Sequence, residues 1–505
     1  MVQSNKKFYL TAALAVFLVC YSFLLLLGPF LLQDADTFWH IRIGQWILSH
    51  AQFPTVDFYS YTAAGKPWIS TEWLSQILYT VAFEFGGWRA VTILAVAACA
   101  AIIGILCSYL LRHLRFSVAI GWTALTLAAI SPHFLARPHV LSYVLLAIWM
   151  ISLLNAYDDD DFNLPSLLTL TPLMILWANL HGSFTFGLAL LYVFAGCCLY
   201  QNIVQQNYQK CWRLLIAASV VTISASITPY GISTAFMTVK LLDMKSTLGH
   251  FITEWGPPDF QGHLFRLIYF VIILSMIAGL GIRLRNPRLI AFGLIIVLGL
   301  SSIRGLVTFF FLVPIILARP AAGCAWYLAP QLSGTKASES DNTSDPILRF
   351  LQRRSFAIVA GCMVLAVLST GWTWWRQDIV PPESTAPRAA IQFVKRTNIT
   401  GNVFNDYNFG GYLIFSGIPT FIDGRAELFG DAFLQRYADA LNLVDINGAF
   451  ELLDEYKVNW VILRPSEPLA KAIARNTLWN EVYADDYSIV FVRRRRDYDT
   501  SGYSH

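Results

Sequence analysis

The sequence has few charged residues for its length. Only 13% of its 505 residues are Asp, Glu, Lys or Arg, whereas 56% are hydrophobic. Soluble globular chains carry about 25% charged residues, so this composition excludes an ordinary soluble protein. The net charge of +4 is small and the basic residues are dispersed, which argues against a nucleic-acid partner.

Cysteine patterns typical of disulfide or zinc sites are also missing. The eight cysteines lie mostly in or beside apolar runs, and none has zinc-site spacing. Adjacent Cys197 and Cys198 are poorly placed for a mutual disulfide. We interpret the cysteines as small apolar side chains that fill space between helices.

Long apolar runs predict a polytopic membrane protein with about eleven transmembrane helices. These are expected at roughly 8–32, 88–111, 116–132, 139–156, 164–180, 183–200, 213–229, 264–282, 288–303, 305–320 and 355–376. The first run is too long for the roughly 7–15-residue core of a signal peptide, so it is expected to be retained. Residues 73–85 are shorter and indicate a re-entrant or interfacial segment, and residues 332–348 indicate a flexible polar loop.

The positions of the basic residues predict the orientation. With the N-terminus in the cytoplasm, Lys6, Lys7, Arg112 and Arg115 lie on the cytoplasmic side, as the positive-inside rule requires. The outer side then receives residues 33–72, 131–138, 230–263, the corners at 181 and 304, and everything after about 377.

The composition changes after residue 376, which predicts two domains. Residues 1–376 form a transmembrane domain with an outer loop at 33–72, and residues 377–505 form a small extracytoplasmic domain. Strands are expected at 402–405, 412–415, 420–422, 458–463 and 488–492, and helices at 389–396, 432–441 and 449–456. This alternation is typical of an α/β domain, so the fold class is mostly α with a small α/β tail.

A polar stretch, Asp34 to Arg42, follows the first apolar run. Apolar residues continue at helical spacing after it, which predicts an interfacial helix. On that helix Asp36 and His40 are four residues apart and share one face. Asp34 is either a second acid of the site or the N-cap of the helix.

More ionisable residues are expected on the same outer side. They are Asp57, Glu72, Arg137, His139, His181, Glu254 and Arg304. Singly, each has an ordinary explanation, since arginines at helix ends extend to lipid headgroups and histidines are often simply buried. Together they predict sugar transfer from a lipid-linked phosphate donor, because a carboxylate can deprotonate a hydroxyl while arginines and histidines hold a phosphate.

The stretch Asp36-Thr37-Phe38-Trp39-His40-Ile41-Arg42 resembles the Asp-x-aromatic-aromatic-His-x-Arg signature of oligosaccharyltransferase catalytic subunits. More broadly, the chain resembles the GT-C superfamily of polyprenyl-phosphate-sugar glycosyltransferases, which includes the protein mannosyltransferases. It looks closest to a bacterial branch of that superfamily. The branch shares the corner Trp177 to Gly182 and tail motifs similar to Phe404 to Gly411 and Ile422 to Arg425.

The resemblance implies a glycosyltransferase in the bacterial inner membrane, with a cytoplasmic N-terminus and an extracytoplasmic C-terminal domain. Its partners would be a polyprenyl-phosphate sugar, membrane lipids, and a glycan, lipid or protein acceptor. By the resemblance Asp36 would be the catalytic or metal-coordinating acid, and Glu254 would be the acidic residue of a later outer loop. From its position on the face of Asp36, His40 is also expected to be catalytic, and Asp34, Asp57 and Glu72 are expected to be supporting acids. Arg137, His139, His181 and Arg304 would bind the donor phosphate.

Two departures from the oligosaccharyltransferase pattern keep the details open. Residues 131–139 lack the second acidic pair, so transfer without a metal competes with a Mg²⁺ or Mn²⁺ ion held by Asp36 and Glu254. The tail also lacks the Trp-Trp-Asp-Tyr-Gly motif, so transfer to asparagine is not supported. Asp406, Tyr407, Asp423 and Arg425 are either turn residues of a scaffold or acceptor-binding residues.

Two other functions remain as alternatives. One is a transporter or flippase for a lipid-linked or anionic substrate, although ionisable groups at helix ends and the lack of an evident inverted repeat count against it. The other is a non-catalytic membrane assembly protein whose outer domain recruits other proteins.

Overall fold

The computed structural model describes residues 2–158, 164–243, 253–259, 270, 282, 284–322 and 346–494. Helices predominate in this part of the chain. Up to residue 375 they are α1 (Val2–Leu26), α2 (Gly28–Leu31), α3 (Asp36–His50), α4 (Trp73–His113), α5 (Phe116–Ile130), α6 (Pro138–Asp158), α7 (Leu164–Leu168), α8 (Thr171–Leu180), α9 (Phe184–Val204), α10 (Tyr208–Ser224), α11 (Ser233–Asp243), α12 (Asn286–Ser301), α13 (Ile303–Ala322) and α14 (Pro346–Trp375).

Seven of the described helices are long and apolar enough to cross a membrane. They cover Phe8–Leu26, Trp73–His113, Phe116–His133, Pro138–Asp158, Phe184–Val204, Ile303–Ala322 and Phe350–Trp375. The spans expected at 164–180 and 288–303 correspond to shorter apolar helices. The span expected at 264–282 lies outside the described residues except for 270 and 282, as does most of the loop 332–348. The structure therefore confirms a polytopic helical chain but not the number eleven.

Helix α4 joins the short apolar run at 73–85 to the span expected at 88–111. The two parts are separated by a break at Gly86 and Gly87, whose φ/ψ angles of −152°/21° and 61°/−149° are not helical. A Cβ atom at Gly86 would lie only 2.3 Å from the Trp374 ring, so a larger residue would have to displace that ring. The segment 73–85 is thus the first part of a kinked helix.

The chain forms two compact units, each with its own internal contacts. Unit 1 consists of Met1–Leu31 and Thr71–Ile379, and unit 2 consists of Leu32–Ser70 and Val380–His505. Most of the outer loop 33–72, which the sequence analysis assigns to the transmembrane domain, therefore groups with the tail. The boundary between residues 376 and 377 stays a prediction.

Helix α13 is the most enclosed of the candidate spans of unit 1. In its most apolar 18-residue window 83% of the residues are buried, compared with 17–61% in the other spans. The aromatic side chains Phe309, Phe310 and Phe311 follow each other on it and are all buried. Consecutive residues point in different directions around a helix, so burial of all three places α13 at the centre of unit 1.

The tail contains a four-stranded sheet and short helices. The helices are α15 (Arg388–Arg396), α16 (Gly410–Phe415), α17 (Ala426–Phe429), α18 (Asp431–Leu441), α19 (Ile446–Glu455) and α20 (Pro468–Ile473), and the strands are β1 (Asn402–Asn405), β2 (Val458–Leu463), β3 (Trp479–Ala484) and β4 (Ile489–Arg493). The strand order is β1-β2-β4-β3, with β1 parallel to β2 and the other pairs antiparallel. The predicted small α/β domain is confirmed.

The core of the tail lies where α15 covers the sheet. Ala390, Ile391 and Val394 of α15 pack with Trp460 and Ile462 of β2 in one buried cluster. The helix residues recur at intervals of one and three positions and so form one apolar stripe. Burial of this stripe holds α15 on the sheet.

Two of the predicted strands are wrong. Residues 412–415 belong to helix α16, because a four-residue apolar run carries no periodicity that separates helix from strand. Residues 420–422 form only an isolated parallel bridge between Thr420 and Ser60. Strand β3, with its mostly exposed side chains, was not predicted.

Candidate functional site

Helix α3 begins at Asp36, as the sequence pattern predicts for the polar stretch. Just before it, the carboxylate Oδ1 of Asp34 accepts a hydrogen bond of 2.7 Å from the backbone N–H of Asp36. This contact satisfies one of the unpaired N–H groups at the helix start. The N-cap position is Ala35, so Asp34 is not the N-cap; it is buried and its side chain bonds to the helix start from one residue further upstream.

The Asp36 carboxylate is held by its own helix and by a turn of the tail. The indole Nε1 of Trp39 donates a hydrogen bond of 3.0 Å to Asp36 Oδ1. Gly424 approaches the same oxygen so closely that a Cβ atom there would lie 1.9 Å from it. The His40 ring lies 3.6 Å from the Trp39 ring between centroids and is only 2% exposed. Asp36 is therefore the more accessible member of the predicted catalytic pair.

A buried ion cluster connects the first loop with the tail inside unit 2. Arg425 donates to Asp57 Oδ1 over 2.6 Å and to both carboxylate oxygens of Asp423 over 2.8 Å. All three side chains are fully buried, and the rings of Tyr59 and Trp68 lie over the guanidinium. Burial alone would lower the pKa of Arg425, but Asp423 and Asp57 outweigh it and raise that pKa.

The other polar residues of the tail motifs are also enclosed. Asp406 is 3% exposed; its Oδ1 accepts the backbone N–H of Asn408 over 2.8 Å, and burial raises its pKa. The backbone N–H of Tyr407 donates to the Tyr437 hydroxyl over 3.0 Å. Together with the burial of Asp423 and Arg425, these contacts favour the scaffold alternative over acceptor binding.

In unit 1, two arginines converge on one glutamate. Arg137 Nη1 and Arg304 Nε lie 3.0 and 2.8 Å from Oε2 of Glu254. Burial raises the pKa of Glu254, but the two guanidinium groups outweigh burial and hold that pKa well below its usual range. The side chains of Arg137, Arg304 and Glu254 are 14%, 30% and 23% exposed. The cluster thus carries one excess positive charge and is reachable from outside.

The Trp255 ring packs against Arg304 of this cluster, a contact that the sequence does not predict. The guanidinium carbon of Arg304 lies 5.1 Å from the Trp255 ring centroid, within the range of a cation–π interaction. Its position directly after Glu254 in the sequence is the feature that could have indicated this contact. Arg304 therefore contacts both the Glu254 carboxylate and the Trp255 ring.

His181 and Glu72 form a second polar contact in unit 1. The backbone N–H of Ser183 donates to Nδ1 of His181 over 3.0 Å, so Nδ1 carries no proton and Nε2–H faces Glu72 Oε1 at 3.2 Å. Burial, then Arg304 and Arg137, lower the pKa of His181 to about 3. The contact is therefore a hydrogen bond from a neutral imidazole rather than an ion pair.

The corner Trp177 to Gly182 is fixed by Asn179. Its Oδ1 accepts from Trp73 Nε1 over 2.7 Å, and its Nδ2 donates to the backbone oxygens of Ile175 and Ile227. These bonds hold the start of α4 against the end of α8. They bring Glu72 and His181 together, which are far apart in the sequence.

The comparisons with known proteins concern the fold. No protein-family profile and no curated protein matches the sequence. The solved structure of ArnT from Cupriavidus metallidurans bound to undecaprenyl phosphate is similar, with a TM-score of 0.50 and 12% identity over 95% of this chain and 98% of ArnT. The apo oligosaccharyltransferase of Archaeoglobus fulgidus has a TM-score of 0.51 and 10% identity over 90% of this chain and 69% of its own.

The fold is that of the GT-C membrane glycosyltransferases. A third structure, the same oligosaccharyltransferase tethered to an acceptor peptide with the NVT sequon, matches with a TM-score of 0.51 and 10% identity over the same shares of both chains. The fold expected from the signature around Asp36 is confirmed.

Unit 1 contains another ion cluster, at the ends of α6 and α13 that lie away from Arg137 and Arg304. Arg288 donates to both carboxylate oxygens of Asp158, and Arg319 Nη1 lies 3.0 Å from the same carboxylate. Asp158 is the last residue of α6, and Arg137 directly precedes the first residue of that helix. Likewise, Arg319 lies near the end of α13 and Arg304 lies at its start. Arg137 and Arg304 thus lie at the other ends of α6 and α13 from Asp158 and Arg319. Which end faces the cytoplasm stays a prediction.

The residues suggested for a divalent cation do not fit one. Two guanidinium groups already bind the Glu254 carboxylate, and they would repel a cation. Among the residues that the structure describes, no group of three or more His, Cys, Asp or Glu side chains is arranged to hold a metal ion. His139 Nε2 lies 3.4 Å from the His133 backbone oxygen.

Proposed function

We propose that the protein is a glycosyltransferase that moves a sugar from a polyprenyl-phosphate-linked donor to an acceptor on the outer face of the membrane. The observation that carries the proposal is the convergence of Arg137 and Arg304 on Glu254, which leaves one positive charge in excess. The shared fold supports it, since the similar ArnT structure holds undecaprenyl phosphate.

The arginine pair is proposed to hold the donor phosphate. The donor phosphate is a diester whose single negative charge and two free oxygens resemble a carboxylate, so it can accept hydrogen bonds from the same two guanidinium groups. The released polyprenyl phosphate is a monoester with more negative charge, which the two arginines bind more strongly. Charge also builds up on the phosphate oxygen as its bond to the sugar breaks, and fixed cations stabilise that charge. The assignment of His181 and His139 to the phosphate stays a prediction, because the His181 N–H faces Glu72 and His139 Nε2 faces the His133 backbone oxygen.

Asp36 is proposed to act as the general base. Its carboxylate would take the proton of an acceptor hydroxyl while the acceptor oxygen attacks the anomeric carbon and the sugar–phosphate bond breaks, releasing polyprenyl phosphate. Trp39 holds one carboxylate oxygen at 3.0 Å, which limits the orientations of the base. The acids Asp34, Asp57 and Glu72 are engaged with other protein groups and are assigned supporting roles.

The experiment separates donor binding from transfer in the full-length protein reconstituted in nanodiscs. Binding of undecaprenyl phosphate and transfer from a panel of radiolabelled undecaprenyl-phosphate monosaccharides are measured. Asp36→Asn is expected to keep binding and lose transfer by at least about 100-fold. Arg304→Gln and Arg137→Gln are expected to weaken binding by about 10-fold or more.

Arg319→Gln is the matched control, because Arg319 also pairs with a carboxylate but at the opposite helix end. Its binding and transfer should equal those of the unmodified protein. Full transfer by Asp36→Asn, or unchanged binding by both arginine variants at the Glu254 cluster, would remove the proposal. Movement of the lipid across the bilayer without transfer would support the transporter alternative instead.

A further inference from the structure

We infer that Gly411 and Gly424, the glycine pair, are positioning residues that set the orientation of the Asp36 carboxylate. The inference rests on the proposed role of Asp36 as the base. Gly411 lies in the first turn of helix α16 and Gly424 in the turn Asp423-Gly424-Arg425. Both turns belong to the tail but lie against the first turn of α3, within unit 2.

Gly424 faces the hydrogen bond between Asp36 and Trp39. A Cβ atom at this position would lie 1.9 Å from Asp36 Oδ1 and 2.9 Å from Trp39 Nε1. Cβ atoms in proteins essentially never approach another heavy atom within 3.0 Å. Any side chain at position 424 would therefore push the carboxylate away from the indole or force the turn away from α3.

Gly411 makes a similarly close approach to the residue just before α3. A Cβ atom there would lie 2.0 Å from the backbone oxygen of Ala35, the residue directly before Asp36. This oxygen belongs to the backbone, so it cannot rotate away as a side chain could. Neither Gly411 nor Gly424 has a positive φ, so space rather than backbone conformation requires glycine at both positions.

Both turns are themselves held in place. Next to Gly411, the rings of Tyr412 and Phe415 pack edge-on against Phe38 of α3, with centroids 5.1 and 5.6 Å apart. Next to Gly424, Arg425 is bonded to Asp57 within the buried ion cluster. A carboxylate enclosed by two anchored turns has few alternative orientations, which is the condition for a precisely placed base.

This arrangement predicts a specific kinetic effect. Gly424→Ala displaces the carboxylate but leaves the Arg137–Arg304 pair unchanged, so kcat should fall while undecaprenyl phosphate binding stays within about twofold. A displacement of about 1 Å in a reacting group can cost about 100-fold in rate. Gly411→Ala should act in the same direction through the backbone at Ala35.

The test uses full-length protein in nanodiscs, with transfer kinetics and hydrogen exchange of the peptides covering 34–42 and 458–463. In Gly424→Ala and Gly411→Ala, faster exchange at 34–42 with unchanged exchange at 458–463 is expected, because β2 lies in the tail core. Gly293→Ala is the matched control, since a Cβ there meets no atom within 4 Å. Asp36→Ala/Gly424→Ala should bring the exchange at 34–42 close to that of Asp36→Ala alone, because the 1.9 Å clash with the carboxylate is gone and only the 2.9 Å approach to Trp39 Nε1 remains.

The outcomes separate this inference from the proposed function. Exchange and kcat equal to those of Gly293→Ala would overturn it, and so would faster exchange with an unchanged kcat. If the unmodified protein transferred no sugar from any donor, the proposed function would fail. The exchange data would still test the role of the glycine pair, since unchanged protection at 34–42 in the glycine variants would show that the pair does not position Asp36.

Discussion

At the scale of single residues, Arg425 is the centre of a fully buried ion cluster. Its guanidinium and the carboxylates of Asp57 and Asp423 are completely removed from solvent. Removal of one partner from a buried ion pair leaves a charge without compensation. Each member of the cluster therefore depends on the others.

We predict that Arg425→Met destabilises the protein by about 3–5 kcal/mol, because it strands two buried carboxylates. Arg436→Met is the matched control, since Arg436 pairs with Glu455 at a half-exposed surface, where such pairs contribute about 0–1 kcal/mol. Thermal unfolding of the full-length protein in detergent checks both variants. Equal losses in the two would contradict the dominance of the buried cluster.

His181 makes the stability of the protein dependent on pH. Its folded-state pKa of about 3 lies below the ordinary value of 6.5, so the unfolded chain takes up a proton that the folded chain refuses. Stability from the neutral imidazole is fully present above pH 6.5 and declines as the pH falls towards 3, by up to about 1.4 kcal/mol per pH unit.

His181→Asn should flatten this decline, because the asparagine oxygen can still accept the Ser183 N–H and does not titrate. The melting temperature between pH 7 and pH 4.5 is the measurement. His50→Asn, at an exposed histidine near the end of α3, should keep the original slope. A slope unchanged by His181→Asn would show that other groups cause the acid sensitivity.

At the scale of elements, the break in α4 depends on contact with another helix. Gly86 meets the Trp374 ring of α14, and Arg89 Nη1 donates to the Trp374 backbone oxygen over 3.1 Å. The kink is therefore a packing feature between two long helices. Glycines at such breaks are a known cause of sharp bends.

Gly86→Ala is predicted to lower the melting temperature, since its Cβ would overlap the Trp374 ring, and overpacking typically costs about 1–3 kcal/mol. In a Trp374→Leu background the same change should cost less than half as much. A double-mutant cycle of melting temperatures gives the coupling. Additive effects would mean that the ring does not restrict position 86.

The features that can be predicted from the sequence are those that depend on neighbouring residues. Helix α3, the GT-C fold and most tail elements follow from periodicity and from the signature around Asp36. The enclosure of Asp36 could not be predicted, because Gly411 and Gly424 approach it from far along the chain. The sequence also predicts a strand at 412–415, where the structure has helix α16. Tyr412 of α16 packs against Phe38 of α3, and a short local run of residues does not reveal this long-range contact.

At the scale of the whole molecule, unit 2 is built from two segments that are separated by most of the membrane helices. The loop 32–70 supplies Tyr61, whose hydroxyl donates to the Val403 oxygen over 2.9 Å, and Thr62, which donates to the Phe421 oxygen over 2.6 Å. Trp68 Nε1 also donates to Glu427 over 3.0 Å. The tail sheet therefore completes its contacts only with the loop present.

We predict that residues 380–505 expressed alone do not unfold cooperatively, because Arg425 then lacks Asp57 and Glu427 lacks Trp68. Residues 32–70 joined to 380–505 by a flexible linker should restore a cooperative transition. Circular dichroism melts of the two fragments provide the comparison. A stable isolated tail would show that the loop contacts contribute little to its folding.

The link between Asp57 and Arg425 also has a consequence for biosynthesis. The two residues are 368 positions apart, and a ribosome adds about 5–20 residues per second, so Asp57 waits roughly 20 to 70 s for its partner. During that time every membrane helix between them has been synthesised. The turn Asp423-Gly424-Arg425 can consequently pack against Asp36 only in chains translated beyond residue 425.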